Sequence, residues 1–316
     1  MTETGPAASD NDIRTGDANA PAGPADAAAK VLAVLAALGI DGADPATWPG
    51  LVGTSAEGGI YRPGQLPSLS PSKVESLANC PLSWALNKTG GNREASAQAS
   101  LGSLIHQLAE LYPTAGPDEM REHLRAHWPE LGLTDNYSSR RLLERALEMA
   151  RRLGVYLRTH PELEASEVEI DWADATGAEL PVRLTGRIDR IEPAGQGRVR
   201  IVDFKTGSKV PSAREAETNP QLGAYQAAID AGLVPPYAAS AGAALVYLGA
   251  GANAPSELTQ ESLAQADNPD WMIELLEQCA QAAMRSDFEA RPSPRCSYCA
   301  VKTSCPAWPE GKQVIA

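Results

Sequence analysis

The chain has 316 residues, 43 % hydrophobic and 21 % charged, with a formal net charge of −13. That length and apolar content are those of a globular protein with a sizeable core. The acidic balance excludes a protein coated in basic surface, so nucleic acid would have to lie in a local basic groove or be delivered by a partner.

No apolar run is long enough for a membrane span. The longest, Val31 to Ile40, is short, Ala-rich and preceded by acidic residues. The N-terminus lacks the basic region and cleavage pattern of a secretory signal. The expected location is cytoplasmic, and the five cysteines are expected to be free of disulfides.

Residues 1–68 read as a disordered or linker segment with one short helix. That helix is expected over Ala27 to Leu38, stopped by Gly39. Asp41 to Pro67 is rich in Gly and Pro and reads as an extended connector. Its Trp48, Leu51, Ile60 and Tyr61 would pin it either to a partner or to this domain's own body.

The folded domain is expected over 69–316. Ser70-Pro71 pairs an N-cap with a proline at the first helical position, opening a helix over Pro71 to Asn79. A second helix, Ala95 to Tyr112, has Leu101, Leu104, Ile105 and Leu108 as its apolar stripe. His106 lies off the middle of that stripe; a lone histidine there is more often structural than functional. Asp118 to Trp128 and Ser138 to His160 are two further amphipathic helices. Ser166 to Trp172 alternates as a strand, with Glu167, Glu169 and Asp171 on its polar face. Glu169 reads either as an added carboxylate or as part of a solvated face.

A hairpin follows, Gly186-Arg-Ile-Asp189-Arg190 and then Val199-Arg-Ile-Val-Asp203-Phe-Lys205-Thr-Gly207. Period-2 alternation puts Val199, Ile201, Asp203 and Lys205 on one face, so an acid and a lysine project together from an apolar strand. Such charges are seldom buried without partners. A divalent cation would partner Asp189 and Asp203, and a phosphate would partner Lys205, which suits metal-dependent phosphodiester hydrolysis. The alternative is a surface hairpin with an Asp–Lys pair at its exit. Thr218 to Ala231 reads as a helix with Gln221 and Tyr225 at i and i+4 on one face. Ala243 to Leu248 is a short strand and Asn268 to Ser286 a closing helix. The order predicts an α/β core with a helical subdomain ahead of it.

The tail reads Cys296-Ser-Tyr-Cys299-Ala-Val-Lys-Thr-Ser-Cys305-Pro306. Three cysteines this close point to a metal or cluster site. A four-thiolate site needs one more. Cys279 sits inside an amphipathic helix, where a buried thiol is ordinary; Cys80, at a helix end before proline, is the better candidate. Zinc and an iron–sulfur cluster both fit four thiolates, and one distant ligand with three clustered fits a zinc ribbon poorly.

Taken in order, Leu69-Ser-Pro-Ser-Lys-Val with Cys80-Pro81, Gly102-Ser-Leu-Ile-His106, Gly186-Arg-Ile-Asp189-Arg, Val202-Asp203-Phe-Lys205-Thr-Gly207, Gln221-Leu-Gly-Ala-Tyr225 and the cysteine tail resemble the RecB-like PD-(D/E)XK nucleases that carry an iron–sulfur staple. Within that family they are most similar to the C-terminal nuclease domains of AddAB- and AdnAB-type helicase–nucleases. The connector from Gly42 to Trp48 looks like the segment preceding the nuclease there.

The resemblance implies a restriction-endonuclease-like fold, a central mixed sheet flanked by helices, with an N-terminal helical subdomain and an Fe–S staple. It implies Mg²⁺ or Mn²⁺ held by His106, Asp189, Asp203 and the Phe204 carbonyl. Lys205 would orient the attacking water, and Gln221 and Tyr225 would position the DNA strand or that lysine. Cys80, Cys296, Cys299 and Cys305 would hold a [4Fe–4S] cluster. The activity implied is an exonuclease acting on single-stranded DNA or DNA ends in double-strand break repair. The chain has no P-loop, so a helicase partner is implied. The other readings are a catalytically silent DNA- or partner-binding module and a zinc-stapled structural protein.

Overall fold

The computed structural model describes residues 24–40, 42–44, 58–62, 64–91, 97–177 and 181–308. The chain forms two compact units, 1–55 and 56–316. The first contains helix α1, Pro24–Ala37. Gly39 ends it in a left-handed conformation (φ 71°), with its N–H on the Ala36 carbonyl and that of Ile40 on Leu35. The helix begins three residues before the position the sequence suggested, because Pro24 is tolerated in a first turn. Trp48 and Leu51 lie outside the described residues.

In the second unit Ile60 and Tyr61 pack on the domain itself. Tyr61 is buried, stacks on Trp84 and donates to the Ser68 carbonyl. Strand β1, Ser68–Leu69, leads into α2, Pro71–Asn79. Ser70 stands at the N-cap in extended conformation, but its hydroxyl meets Ser72 and caps no backbone N–H. Cys80 breaks the helix with an extended backbone, as a residue before proline favours. Pro81 then starts α3, Pro81–Leu86, which the sequence reading missed. Next come α4, Ala97–Leu111, α5, Pro117–His127, and α6, Tyr137–Thr159.

Strands β2, Ala165–Trp172, β3, Arg183–Pro193, and β4, Arg198–Lys205, follow, then α7, Ala213–Glu217, and α8, Pro220–Asp230. Strands β5, Ala239–Tyr247, and β6, Ser256–Gln260, precede α9, Trp271–Met284. They make one six-stranded mixed sheet in which β4 and β5 are parallel neighbours and β2–β3, β3–β4 and β5–β6 are antiparallel.

Period-2 alternation divides the core. Val202 and Phe204 of β4 and Ala244 and Val246 of β5 pack with α4, α5 and α6. Val199 and Ile201 of β4 and Ala243 and Leu245 of β5 pack with α8. A third cluster joins α2, α3, α8 and α9. The result is a mixed sheet with helices on both faces, consistent with the expected α/β class. Three strands were misjudged from sequence, the first being β1, whose two residues are too few to show a period. β5 starts at Ala239, not Ala243: its Ala-Ser-Ala-Gly opening has low strand propensity, and pairing with β4 overrides this. β6 is a polar edge strand whose half-solvated residues leave little apolar alternation to detect.

The arrangement that builds the site lies along β3. Strand β2 follows one edge of β3 from Leu184 to Ile191. The opposite edge takes β1 at Arg183–Leu184 and β4 only from Arg190 to Pro193. The stretch between, Thr185 to Asp189, has no strand on that side, so the hairpin splays open at Asp189.

Candidate functional site

Side chains, not ladder bonds, fill the splayed edge. The Phe204 N–H donates to Asp189 Oδ2 at 2.7 Å. The Arg187 carbonyl accepts from Tyr225 OH at 2.8 Å. A Cβ at Gly186 would stand 2.8 Å from Pro71 Cδ, so glycine there admits the start of α2.

Helix α4 brings His106 over the gap, with Nδ1 3.2 Å from Asp189 Oδ1. Burial opposes protonation of this imidazole, but the bond and charge of Asp189, helped by Asp203 and Glu167, outweigh it and raise its pKa. Glu167 is the third member. Its ligand atom and those of His106 and Asp189 lie within 4.8 Å of one another. The β2–β3 register sets Glu167 across from Asp189, where two carboxylates repel. Pairing is interrupted there, and Glu167 adopts φ 51°, a strained value for a non-glycine residue. Burial first, then Asp189, raises its pKa, and Arg187 at 2.6 Å partly offsets this.

Asp203 stands at the end of β4, 3 % exposed. Its Oδ1 accepts from Gln221 Nε2 at 2.6 Å. Its Oδ2 lies 2.7 Å from Lys205 Nζ in an ion pair but receives no directed hydrogen bond. Burial pushes this carboxyl up to about 6, against the pull of Lys205 and with the help of Asp189. Lys205 is desolvated too, but Asp203 more than compensates and holds it as an ammonium. Gln221 Oε1 accepts from Lys205 at 2.6 Å, and Gln221 Nε2 lies 3.4 Å from Tyr225 OH. The i, i+4 spacing on α8 thus clamps the acid, the lysine and the β3 backbone together.

All the residues singled out in the hairpin and helices meet at this gap, in two subsets. His106 and Asp189 gather with Glu167, while Asp203 and Lys205 gather with Gln221 and Tyr225. Asp203 is therefore not in the three-residue ligand set. Phe204 takes part through its N–H; its ring packs in the core. Sequence reasoning missed Glu167 by grouping it with Glu169 and Asp171 on a solvated face. Glu169 and Asp171 are exposed, and only the strand register distinguishes Glu167 from them.

The donor set suits a hard divalent cation. Carboxylate and imidazole groups crowd together at His106, Glu167 and Asp189, beside the carboxylate of Asp203, whose pKa is raised first by burial and then by Asp189.

The tail forms a second centre. Cys80, Cys296, Cys299 and Cys305 line one cavity of about 160 Å³, with Leu82, Leu86 and Val301 among its walls. None is in a disulfide. The Ser293 N–H donates to Cys296 Sγ at 3.3 Å, and Ser83 Oγ lies 3.7 Å from Cys299 Sγ. Four cysteines on one cavity, none in a disulfide, fit a thiolate-bound metal group. Cys279 lies elsewhere, buried against the Val74 carbonyl, and burial pushes its thiol up to about 12.

No curated protein matches the chain. Among solved structures, the crystal structure of SSO0001 is similar over 77 % of this chain and 87 % of that one, with 16 % identity and a TM-score of 0.37. The family model for the PD-(D/E)XK nuclease superfamily matches residues 68–306. Those limits run from the first residue of β1 to the proline after the last cysteine, and they enclose both centres: the chain belongs to the PD-(D/E)XK nuclease superfamily.

Proposed function

We propose that the protein is a metal-dependent DNA nuclease whose reacting groups meet at the splayed β3–β4 edge. The observation that carries this reading is the meeting there of His106, Glu167 and Asp189 with the Asp203–Lys205–Gln221 cluster. His106, Asp189 and Asp203 would hold Mg²⁺ or Mn²⁺, with Glu167 added to the ligands expected from sequence. Such an ion supplies charge neutralisation on a scissile phosphate and a water of lowered pKa. To bind, His106 must release its proton and Asp203 must be ionised. Lys205, fixed by Asp203 and Gln221, presents its ammonium as a donor to the negative charge that develops on the phosphorane oxygens. Tyr225 and Gln221 hold it in register.

We further propose that Cys80, Cys296, Cys299 and Cys305 hold a [4Fe–4S] cluster that staples the tail to the α2–α3 corner. The shared cavity supports this, as do the backbone bond from Leu82 to Glu289 and the donation from Arg291 to the Ala78 carbonyl. The finer activity, an exonuclease on single strands or ends working with a helicase in double-strand break repair, rests on the motif resemblance.

The test is cleavage of single- and double-stranded DNA by anaerobically purified protein in Mg²⁺, Mn²⁺ or EDTA. Cleavage should require metal and fall at least about a hundredfold in Asp203→Ala and Lys205→Ala. An undiminished rate in either variant would remove this site from the reaction.

A further inference from the structure

A second groove, about 330 Å³ in volume, lies between α2 and the cysteine tail and is lined by Ser76, Asn79, Arg291, Arg295 and Tyr298 among others. Tyr298 is 58 % exposed. A single exposed ring is ordinary, but this one has unusual company. Lys209 Nζ stands 3.9 Å from its ring centroid. Among the described residues Lys209 joins no ion pair, in a chain whose net charge is −13. The two arginines are exposed and held at the groove: Arg295 by Glu75 at 3.1 Å, and Arg291 by Glu289 at 3.0 Å.

The groove adjoins the reacting groups. Lys209 follows Lys205 by four residues, a reach of at most about 14 Å. Glu75, which Arg295 grips, acts electrostatically on both Lys205 and its β5 partner Tyr247. A strand lying across Lys205 covers that reach in about four stacked nucleotides at 3.4 Å each.

We propose that Tyr298 and Lys209 form a platform for an unpaired base and its phosphate, on the same DNA strand that lies across Lys205. The ring offers a face for stacking, the ammonium a point charge for phosphate, and the groove arginines further phosphate contacts. A base inside a duplex has both faces covered by its neighbours, so the platform selects unpaired strands. The alternative is a purely structural latch from the loop after β4 to the tail. This inference rests on the nuclease reading, since the strand is that reading's substrate.

The test is fluorescence anisotropy of a labelled 20-nucleotide single strand carrying 2-aminopurine, with the full chain at low salt in EDTA. Tyr298→Ala should weaken binding about tenfold or more and abolish the change in 2-aminopurine emission on binding, and Tyr298→Phe should restore both. Lys209→Gln should weaken binding and reduce the salt slope by about 1. Lys209 lies outside the tail, so this variant decides if Tyr298→Ala does not fold. Wild-type affinity in a folded Tyr298→Ala variant, or an equal loss with duplex DNA, would overturn the platform and leave the latch. Hydrolysis of bis-p-nitrophenyl phosphate by the unmodified protein keeps the two readings apart, because that diester carries no nucleobase and no second phosphate to engage the platform. Metal-dependent hydrolysis with unaltered strand binding by the variants overturns the platform alone. Stacking lost in Tyr298→Ala with no hydrolysis supports the platform and overturns the nuclease.

Discussion

Glu167 shows most clearly what one residue contributes. It sits across a strand pair from Asp189 in strained backbone, an arrangement that disfavours the metal-free state and that a cation between the carboxylates would relieve. Glu167→Gln should raise the Mg²⁺ concentration for half-maximal cleavage about tenfold while leaving the melting temperature in EDTA unchanged or higher. An unchanged metal requirement would place Glu167 outside the ion's shell. Asp203 makes a prediction in pH. Its folded pKa is raised to about 6 from 3.8, so the metal-free protein loses stability as pH climbs from about 4 through 6. Metal binds the ionised form and competes with that proton, so at subsaturating Mg²⁺ cleavage should fall as pH drops through 6. Saturating metal should move the falling limb to lower pH. A profile indifferent to metal concentration would contradict this. His106 and Asp203 were legible because their motifs stand in the sequence; Glu167 was not, because two nearby acids share its pattern and only a register separates them.

Two of the three arginines of strand β3, Arg187 and Arg190, serve different ends. Arg187 lies beside the gap, paired with Glu167. Arg190 is 2 % exposed, pairs with Glu192 at 2.8 Å and donates to the carbonyls of His160 and Glu162. The same short motif therefore supplies a site residue and a buried anchor for the turn between α6 and β2. Arg190→Ala removes one of the two arginines on Glu192, leaving Arg200 at 3.4 Å and Tyr156 OH at 3.1 Å, and frees the His160 and Glu162 carbonyls. It should cost about 1–3 kcal/mol, read as a depressed thermal midpoint without loss of metal dependence in the folded fraction. A shift below 1 °C would contradict the anchor. Helical elements were mostly readable from their apolar stripes, α6 above all. α3 was not, since six residues after a proline show no period. β6 was not, since an edge strand needs few apolar side chains.

At the scale of the molecule, two centres far apart in sequence share one domain. The cysteine cavity joins the α2–α3 corner to the tail, and α2 also enters the gap along β3 through Pro71 beside Gly186. On the proposed reading, removing a group bound by these cysteines should loosen the body that carries the β3 gap. Cys299→Ser should lower the melting temperature by more than about 5 °C and lose bound iron; unchanged stability would remove the staple. The net charge of −13 limits unaided DNA affinity and makes a delivering partner useful. The measurement that bears most directly on the account is DNA cleavage by the anaerobically purified protein, with and without Mg²⁺, beside Asp203→Ala. The account predicts cleavage that requires metal and vanishes in the variant. Cleavage that persists in EDTA or in Asp203→Ala would contradict it.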